Sequence, residues 1–329
     1  MRTQSRSSLL LAAAAAALVG AAPAMGVASE QAARAEMARE AIVAASAFQG
    51  YVQRASSLRG EFADGQAVAD ALAVGATYEI GQIEQGEIAF GALVALQDPA
   101  FIRGVRRAAP DEAARRRMVD DLIANPRNVL TLQGSESAAA LVKAALRANG
   151  EELARAGRSV KQAAYDVQRQ PWSRQTVPNA PARLARVKAL SRTGYTPSAE
   201  DEARLLRAAV EMRGTVPTRS YAVTNVVAKS LALAAVALAG EAGDENAARL
   251  QPLLGDASAN TCLKMAKLNL YQCLAVSGPH YEDVFCLGVH ALMDTGKCVS
   301  GAAGPALEVP VERPPSATFA ASSVPVASD

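Results

Sequence analysis

The sequence is poor in the residue types that carry most catalytic and metal chemistry. Among its 329 residues are two histidines, His280 and His290, four cysteines and one tryptophan. No C-x-x-C pair is present, which argues against a redox dithiol and against the closely spaced thiols of a structural zinc site. Glu79, Glu84 and Glu87 share one segment without a Glu-x-x-His, so a di-iron site is not expected. We predict no metal, no cofactor and no catalytic residue set.

The chain also lacks an excess of charge of either sign, with 34 Lys+Arg and 32 Asp+Glu. Arg2 and Arg6 precede a short apolar run, and Ala22 and Ala24 frame a small-residue cleavage site, a pattern typical of a secretory signal. Removing residues 1–24 would take two basic residues and no acid, leaving 32 of each sign. We therefore expect no binding to nucleic acid, and we predict a periplasmic or secreted location.

Strand-like alternation of valine, isoleucine and threonine is nearly absent, whereas alanine, the best helix former, is abundant. Helix-capping residues precede helical periodicity at several points, which are Asp64, Asp98, Asp111, Ser135 and Ser198. We predict an all-α fold, a multi-helix bundle with a C-terminal disulfide-stapled helical hairpin. The predicted division is a signal peptide over 1–24, an N-terminal helical bundle over 29–170, a linker over 171–181, a C-terminal helical subdomain over 182–300 with the hairpin at 257–298, and a disordered tail over 301–329.

The most apolar stretch after the signal, residues 219–239, leaves two interpretations open. Its length suits a transmembrane helix. Asn225, Lys229 and Ser230 lie near its middle, however, where a charge costs about 2.5–3.5 kcal/mol in a bilayer. We favour a helix buried inside the protein and predict no membrane span once the signal is removed.

The four cysteines are mirrored about Pro279-His280. Two antiparallel helices joined by a turn just before that point would place Cys273 opposite Cys286 and Cys262 opposite Cys298. Pairing Cys262 with Cys273 is excluded if the helix forms, because the helical rise separates them by ~16 Å. We predict the disulfides Cys262–Cys298 and Cys273–Cys286, which suit an oxidising compartment.

The two cysteine pairs differ in spacing by one residue. Cys273 follows Cys262 by eleven residues, close to three helical turns, whereas Cys298 follows Cys286 by twelve, about 120° out of phase. We therefore expect the second helix to end near residues 294–296 and Cys298 to lie on a flexible segment beyond it.

The mirror rule also places Asn269 opposite His290, between the two bridges. Two facing polar side chains in a hairpin are more often a satisfied buried pair than a ligand or catalytic site. We therefore predict a buried Asn269–His290 pair.

The densest basic cluster of the chain follows one short helix into the next. Acidic residues such as Asp111 and Glu112 intersperse it, which is typical of a solvated and internally paired face. A docking surface for an acidic partner or a cell-wall polymer is the alternative. The candidate interaction surface comprises Arg103, Arg106, Arg107, Arg115, Arg116 and Arg117.

Two segments carry a resemblance to a known group of proteins. They are residues 160–168 leading to Pro171-Trp172-Ser173, and residues 268–273 paired with 285–288. The chain resembles uncharacterised exported helical proteins of alphaproteobacteria with a four-cysteine C-terminal hairpin. The resemblance implies export and the four-cysteine module, and it implies no activity.

Taken together, these patterns favour a non-catalytic scaffold or binding module of the cell envelope, whose partner would be an envelope protein or a cell-wall polymer. The alternative hypothesis is an envelope enzyme that acts on cell-wall material through carboxylates. The shortage of histidine and the absence of a nucleophile motif favour the first.

Overall fold

The computed structural model describes residues 37–211 and 222–304, and these ranges form an all-α fold without β-strands. The predicted signal peptide and residues 305–329 of the predicted tail lie outside the described residues. The helices are α1 (Arg39–Ser56), α2 (Gly65–Ala76), α3 (Ile80–Ala95), α4 (Pro99–Ala108), α5 (Glu112–Ala124), α6 (Ser135–Val167), α7 (Ala180–Leu190), α8 (Ala199–Glu211), α9 (Asn225–Leu238), α10 (Ala247–Leu250), α11 (Ala257–Val276), α12 (His280–Cys286) and α13 (Asp294–Ala302). Short 3₁₀ turns lie at Pro126–Thr131, Asp244–Asn246 and Gln251–Leu253, and a π-helical segment, Leu287–Met293, joins α12 to α13.

Side-chain caps begin most of the helices where the sequence predicts them. Asp64 accepts a hydrogen bond from Ala67 N at 2.8 Å to begin α2, and Asp98 and Asp111 do the same for α4 and α5. The predicted cap at Ser135 is wrong. Gly134, with φ of 84°, precedes α6, and the Ser135 hydroxyl donates instead to the carbonyl of Leu130 at 3.0 Å.

The centre of the protein is a packed pair of apolar helices, α3 and α9. Helix α3 buries 12 of its 16 residues and α9 buries 11 of its 14, so neither presents a polar face to solvent. Lys229 of α9 reaches out of this core and donates to the carbonyl of Gly255. Among the described residues no single helix is long and apolar enough to cross a bilayer, and the one pair that would qualify together, α3 with α4, is bent by 91°.

The hydrophobic core includes residues of both predicted halves. One hydrophobic core contains residues from α1 through α13, and the long helix α6 packs along the α12–α13 arm of the hairpin. The predicted linker at 171–181 is hydrogen-bonded to the hairpin turn. Val177 N donates to Gly278 O at 2.8 Å and Tyr281 N donates to Ser173 O at 3.2 Å, so this segment is fastened to the hairpin turn.

The hairpin carries the two disulfides that its mirrored spacing predicts. Cys262 is bonded to Cys298 and Cys273 to Cys286, with Cα–Cα distances of 5.6 and 5.7 Å. The expected end of the second helix before Cys298 is wrong, because the helix continues to Ala302. The π-helical segment between α12 and α13 accommodates one extra residue, and this brings Cys298 back into phase with Cys286.

The same one-residue offset appears where the α12–α13 arm of the hairpin crosses α6. A Cβ on Gly150 would lie 2.5 Å from Gly296 O, and a Cβ on Gly157 would lie 2.6 Å from Gly288 O, so glycines face each other at both crossings. The glycines of α6 are seven residues apart and those of the opposing arm are eight apart. One π segment therefore aligns both the cysteines and the glycines.

Candidate functional site

A cleft with a volume of about 440 Å³ lies between α2 and α7. We call it the α2–α7 cleft. Its lining is mostly apolar and includes residues of the first turn of α12. The apolar lining comprises Ala69, Leu72, Ala73, Val177, Pro178, Ala182, Val187 and Leu190, and the polar lining comprises Gln66, Asn179, Arg183, Arg186, His280 and Asp283.

A buried ion pair between Arg183 of α7 and Asp283 of α12 closes the bottom of the cleft. Arg183 Nη1 lies 2.5 Å from Asp283 Oδ1, and the two side chains are 9% and 3% exposed. Arg183 also donates to the carbonyl of Leu274, at the end of α11, and its buried Nε has no hydrogen-bond partner. Because breaking a buried pair leaves an uncompensated charge, this contact fixes α7 firmly over the hairpin turn.

Asp283 is held by neighbours that favour its ionised form. The Ser277 hydroxyl donates to Oδ1 at 2.7 Å, and Arg183 and His280 add positive charge. Burial is the stronger influence, and it raises the pKa of Asp283 above its usual value. Ser277, His280 and Asp283 share one turn, yet the serine hydroxyl is bonded to the carboxylate, whereas a catalytic triad requires it to face the imidazole.

The cleft also contains one of the two histidines and a backbone outlier. The ring of His280 packs against the start of α2, because a Cβ on Gly65 would lie 2.3 Å from its Cε1. Asn179, which caps α7, is the one non-glycine residue with positive φ in the described ranges, at 51°. Asparagine tolerates this left-handed conformation better than most residues, which explains its use at the start of α7.

The cleft combines a largely apolar lining with a few polar groups. Apolar walls with a few convergent polar groups are typical of small-molecule sites. Arg186 is exposed at the mouth, whereas Arg183 is already neutralised by Asp283. The cleft therefore suits a molecule with an apolar body and an anionic or hydrogen-bonding end.

The buried Asn269–His290 pair expected from the sequence is wrong. Both residues are half-buried, and His290 Nδ1 lies 2.8 Å from Asp294 Oδ2 on the next turn of its own helical arm. The mirror rule places the two residues at equivalent heights but does not fix the direction of their side chains. The hydrogen-bond partner of His290 is Asp294, one turn away on the same arm.

The six arginines of the candidate interaction surface lie on α4 and α5. Five are exposed and Arg115 is half-buried. Arg116 pairs with Glu112 on the same helix, and Arg107 donates to the side chain of Gln133. The surface is thus solvated and partly paired, and its use in docking stays a prediction.

The three glutamates near α3 differ in their surroundings. Glu79 caps the helix, accepting from Gly81 N at 3.0 Å, and Glu84 accepts from the backbone of Asp256. Glu87 is 1% exposed and neither of its oxygens has a hydrogen-bond partner. Within the described ranges, no three acidic, histidine or cysteine side chains are placed to hold a metal ion.

Sequence reasoning did not identify Arg183, Asp283 and Asn179 as parts of one site. Arg183 and Asp283 lie 100 residues apart, and the hydrogen bonds between the 171–181 segment and the hairpin turn bring them together. The one available signal was an acidic residue, Asp283, in the first turn of a short helix, which many helices share.

Comparisons with models of known protein families, with curated proteins and with solved structures find no match to this chain. The resemblance to exported helical proteins of alphaproteobacteria therefore stays a prediction.

Proposed function

We propose that this protein is an exported, non-catalytic binding module of the cell envelope, and that the α2–α7 cleft holds its ligand. The observation that carries the proposal is an apolar cleft of about 440 Å³ whose floor is a cross-helix ion pair, Arg183–Asp283, fixed by the disulfide hairpin. The ligand would be a small amphipathic molecule with an anionic end.

Export is supported by the state of the cysteines. Both disulfides are intramolecular and no described cysteine is free, which is compatible with an oxidising extracellular or periplasmic location. With the signal-like N-terminus, this favours the periplasm or the secreted fraction over the cytosol.

The alternative, an envelope enzyme that uses carboxylates, rests on one observation. Asp283 combines burial, a raised pKa and a place in the cleft, which are properties of functional acids. The side chains of Arg183 and Ser277 both donate to the Asp283 carboxylate. Because these structural contacts use the carboxylate, they favour the binding hypothesis.

Fluorescence titration of the oxidised protein with 8-anilinonaphthalene-1-sulfonate, an apolar molecule with one anionic group, tests the cleft. Ala182 lines the cleft and Ala185 is exposed one turn along the same helix, away from the lining. We expect Ala182→Trp to weaken probe binding about tenfold or more, because the indole would fill the cleft. Ala185→Trp is the matched control, for which the affinity should stay at the wild-type value.

Equal affinities for the two tryptophan variants would contradict the assignment of the cleft. The enzyme alternative has its own measurement, the release of soluble fragments from purified peptidoglycan. Release that Asp283→Asn abolishes, in a variant that still forms both disulfides, would replace the binding proposal with the enzymatic one.

A further inference from the structure

We propose that a second cleft, where α7 ends against α11, binds the phosphate group of a small phosphomonoester. This cleft has a volume of about 340 Å³ and is separate from the α2–α7 cleft, so the inference stands without the function proposed above. We call it the basic cleft. Its charged lining residues are Glu79, Arg192, Lys264 and Lys267.

The lining carries a surplus of positive charge that the protein does not neutralise. Three of the four charged groups are cations, and Arg192 and Lys264 are exposed without an ion pair to any described residue. The carboxylate of Glu79 already accepts hydrogen bonds from Gly81 N at 3.0 Å and Gln82 N at 2.6 Å. Arg192, Lys264 and Glu79 together leave a net charge of about +1, and protonation of Lys267 raises it to about +2, which suits the charge of about −1.5 to −2 on a phosphomonoester at neutral pH.

Lys267 places one of these charges in the protein interior. Its side chain is 4% exposed, and its Nζ donates to the carbonyls of Tyr78 and Ser191 and lies 3.9 Å from the centre of the Tyr78 ring. None of these contacts supplies a negative charge. Burial lowers the pKa of Lys267 to about 7, with Glu79 opposing the change. A bound anion would supply the compensating charge that a buried ammonium group lacks.

The remaining lining indicates that the phosphate is attached to an organic group. The cleft is larger than a phosphate ion needs, and Tyr271 and Leu268 line it beside the cations. Leu268 is 44% exposed, and Met265, one turn away on α11, is 50% exposed. Tyr271 and Leu268 would contact the alcohol part of a soluble phosphate ester, and exposed Met265 beside the cleft would add to a contact with the acyl region beneath a lipid phosphate.

Two probes distinguish these sources of the same phosphate group. One is glycerol 3-phosphate, followed by isothermal titration calorimetry. The other is a vesicle of phosphatidylcholine containing phosphatidic acid, followed by co-sedimentation with pure phosphatidylcholine as the blank. Binding to both probes assigns the cleft to phosphomonoesters in general, binding to glycerol 3-phosphate alone assigns it to soluble esters, and binding to vesicles alone assigns it to a lipid headgroup.

The double variant Arg192→Gln/Lys264→Gln should weaken binding about tenfold or more, because each residue contributes a charge-assisted hydrogen bond. Both side chains are exposed, so the variant should fold normally. Arg158→Gln removes an exposed arginine outside the lining and is the matched control. Failure of the wild-type protein to bind either probe, or wild-type affinity in the double variant, would overturn the proposal.

Discussion

Helices α3 and α11 lie in the same core but are held there in different ways. Helix α3 buries 12 of its 16 residues, whereas α11 buries 6 of its 20 and leaves Met265, Leu268 and Val276 exposed. Both disulfides join α11 to the opposite arm of the hairpin. The disulfides therefore lie on the helix of this pair that buries the smaller share of its residues.

Helix α3 carries no disulfide and is held by close packing against its neighbours. At Gly86 its backbone approaches α1 so closely that a Cβ would lie 2.3 Å from Ala44 O and 2.6 Å from the Cβ of Phe48. Such contact maximises dispersion and apolar burial between two helices. We call α1, α3 and α9 the packed half, where a change in side-chain volume should matter most, and the α11–α13 hairpin the linked half, where loss of a disulfide should matter most.

The largest expected effect is on the packed half. Gly86→Val would force side-chain atoms into the backbone of α1, and we expect it to lower the free energy of unfolding by more than about 4 kcal/mol. Gly301→Val on α13, where a Cβ would meet nothing within 4 Å, should change it by less than about 0.5 kcal/mol. Urea unfolding monitored by circular dichroism measures both, and similar losses would refute the close-packing explanation.

In the linked half, removing a disulfide should lower the free energy of unfolding, and the disulfide that closes the longer loop should cost more. The Cys262–Cys298 bridge closes 36 residues and the Cys273–Cys286 bridge closes 13. Restriction of the unfolded chain predicts losses of about 3.8 and about 2.9 kcal/mol for the respective Cys-to-Ser double variants. Urea unfolding of the two variants tests the order, and a larger loss for the inner bridge would show that strain or packing dominates.

The packed half also contains a buried carboxyl group, that of Glu87, which makes the free energy of unfolding depend on pH. Burial, followed by the charges of Glu84 and Asp256, raises the pKa of Glu87 well above 4.5. Above pH 4.5 the unfolded chain releases this proton while the folded protein retains it. Wild-type stability should therefore fall with rising pH relative to Glu87→Gln, by at most about 1.4 kcal/mol per pH unit.

Paired unfolding measurements on wild type and Glu87→Gln between pH 4 and pH 8 check this sign. The free energy of unfolding of the variant should rise relative to that of the wild type as pH increases. The change from the pH 4 difference should be smallest close to pH 4. A difference that does not change with pH would mean that Glu87 ionises inside the folded protein without cost.

The smallest effect concerns the one-residue offset in the linked half. Deleting His290 from the π-helical segment would make both cysteine spacings eleven and both glycine spacings seven. We expect both disulfides to form and the free energy of unfolding to change by less than about 1 kcal/mol, because a regular α-helix replaces the π segment. Deleting Met265 from α11 is the control, since it would widen the cysteine offset to two residues.

Non-reducing peptide mapping distinguishes these deletions. Loss of the Cys262–Cys298 bridge in the His290 deletion, with retention in the Met265 deletion, would refute the role assigned to the π segment.

Local signals along the chain sufficed for the all-α class, the caps at Asp64, Asp98 and Asp111, and the disulfide pairing. Each depends on residues close in sequence or on a single symmetric turn, so short-range geometry decides it. The contacts of the predicted linker could not be predicted, for the opposite reason. Prolines near 171–181 indicate a break in helix, but they do not reveal that the break is hydrogen-bonded to the turn at Gly278.

The sequence by itself determined the all-α class, the caps at Asp64, Asp98 and Asp111, and the disulfide pairing of the hairpin, because periodicity, capping chemistry and cysteine spacing act over a few turns. The tertiary structure alone decided the single core, the π segment that restores the phase of Cys298, and both clefts. Arg183 meets Asp283, and Lys267 meets Ser191, through the packing of elements 76 or more residues apart. No local pattern encodes such contacts, since they depend on the combined directions of many packed helices.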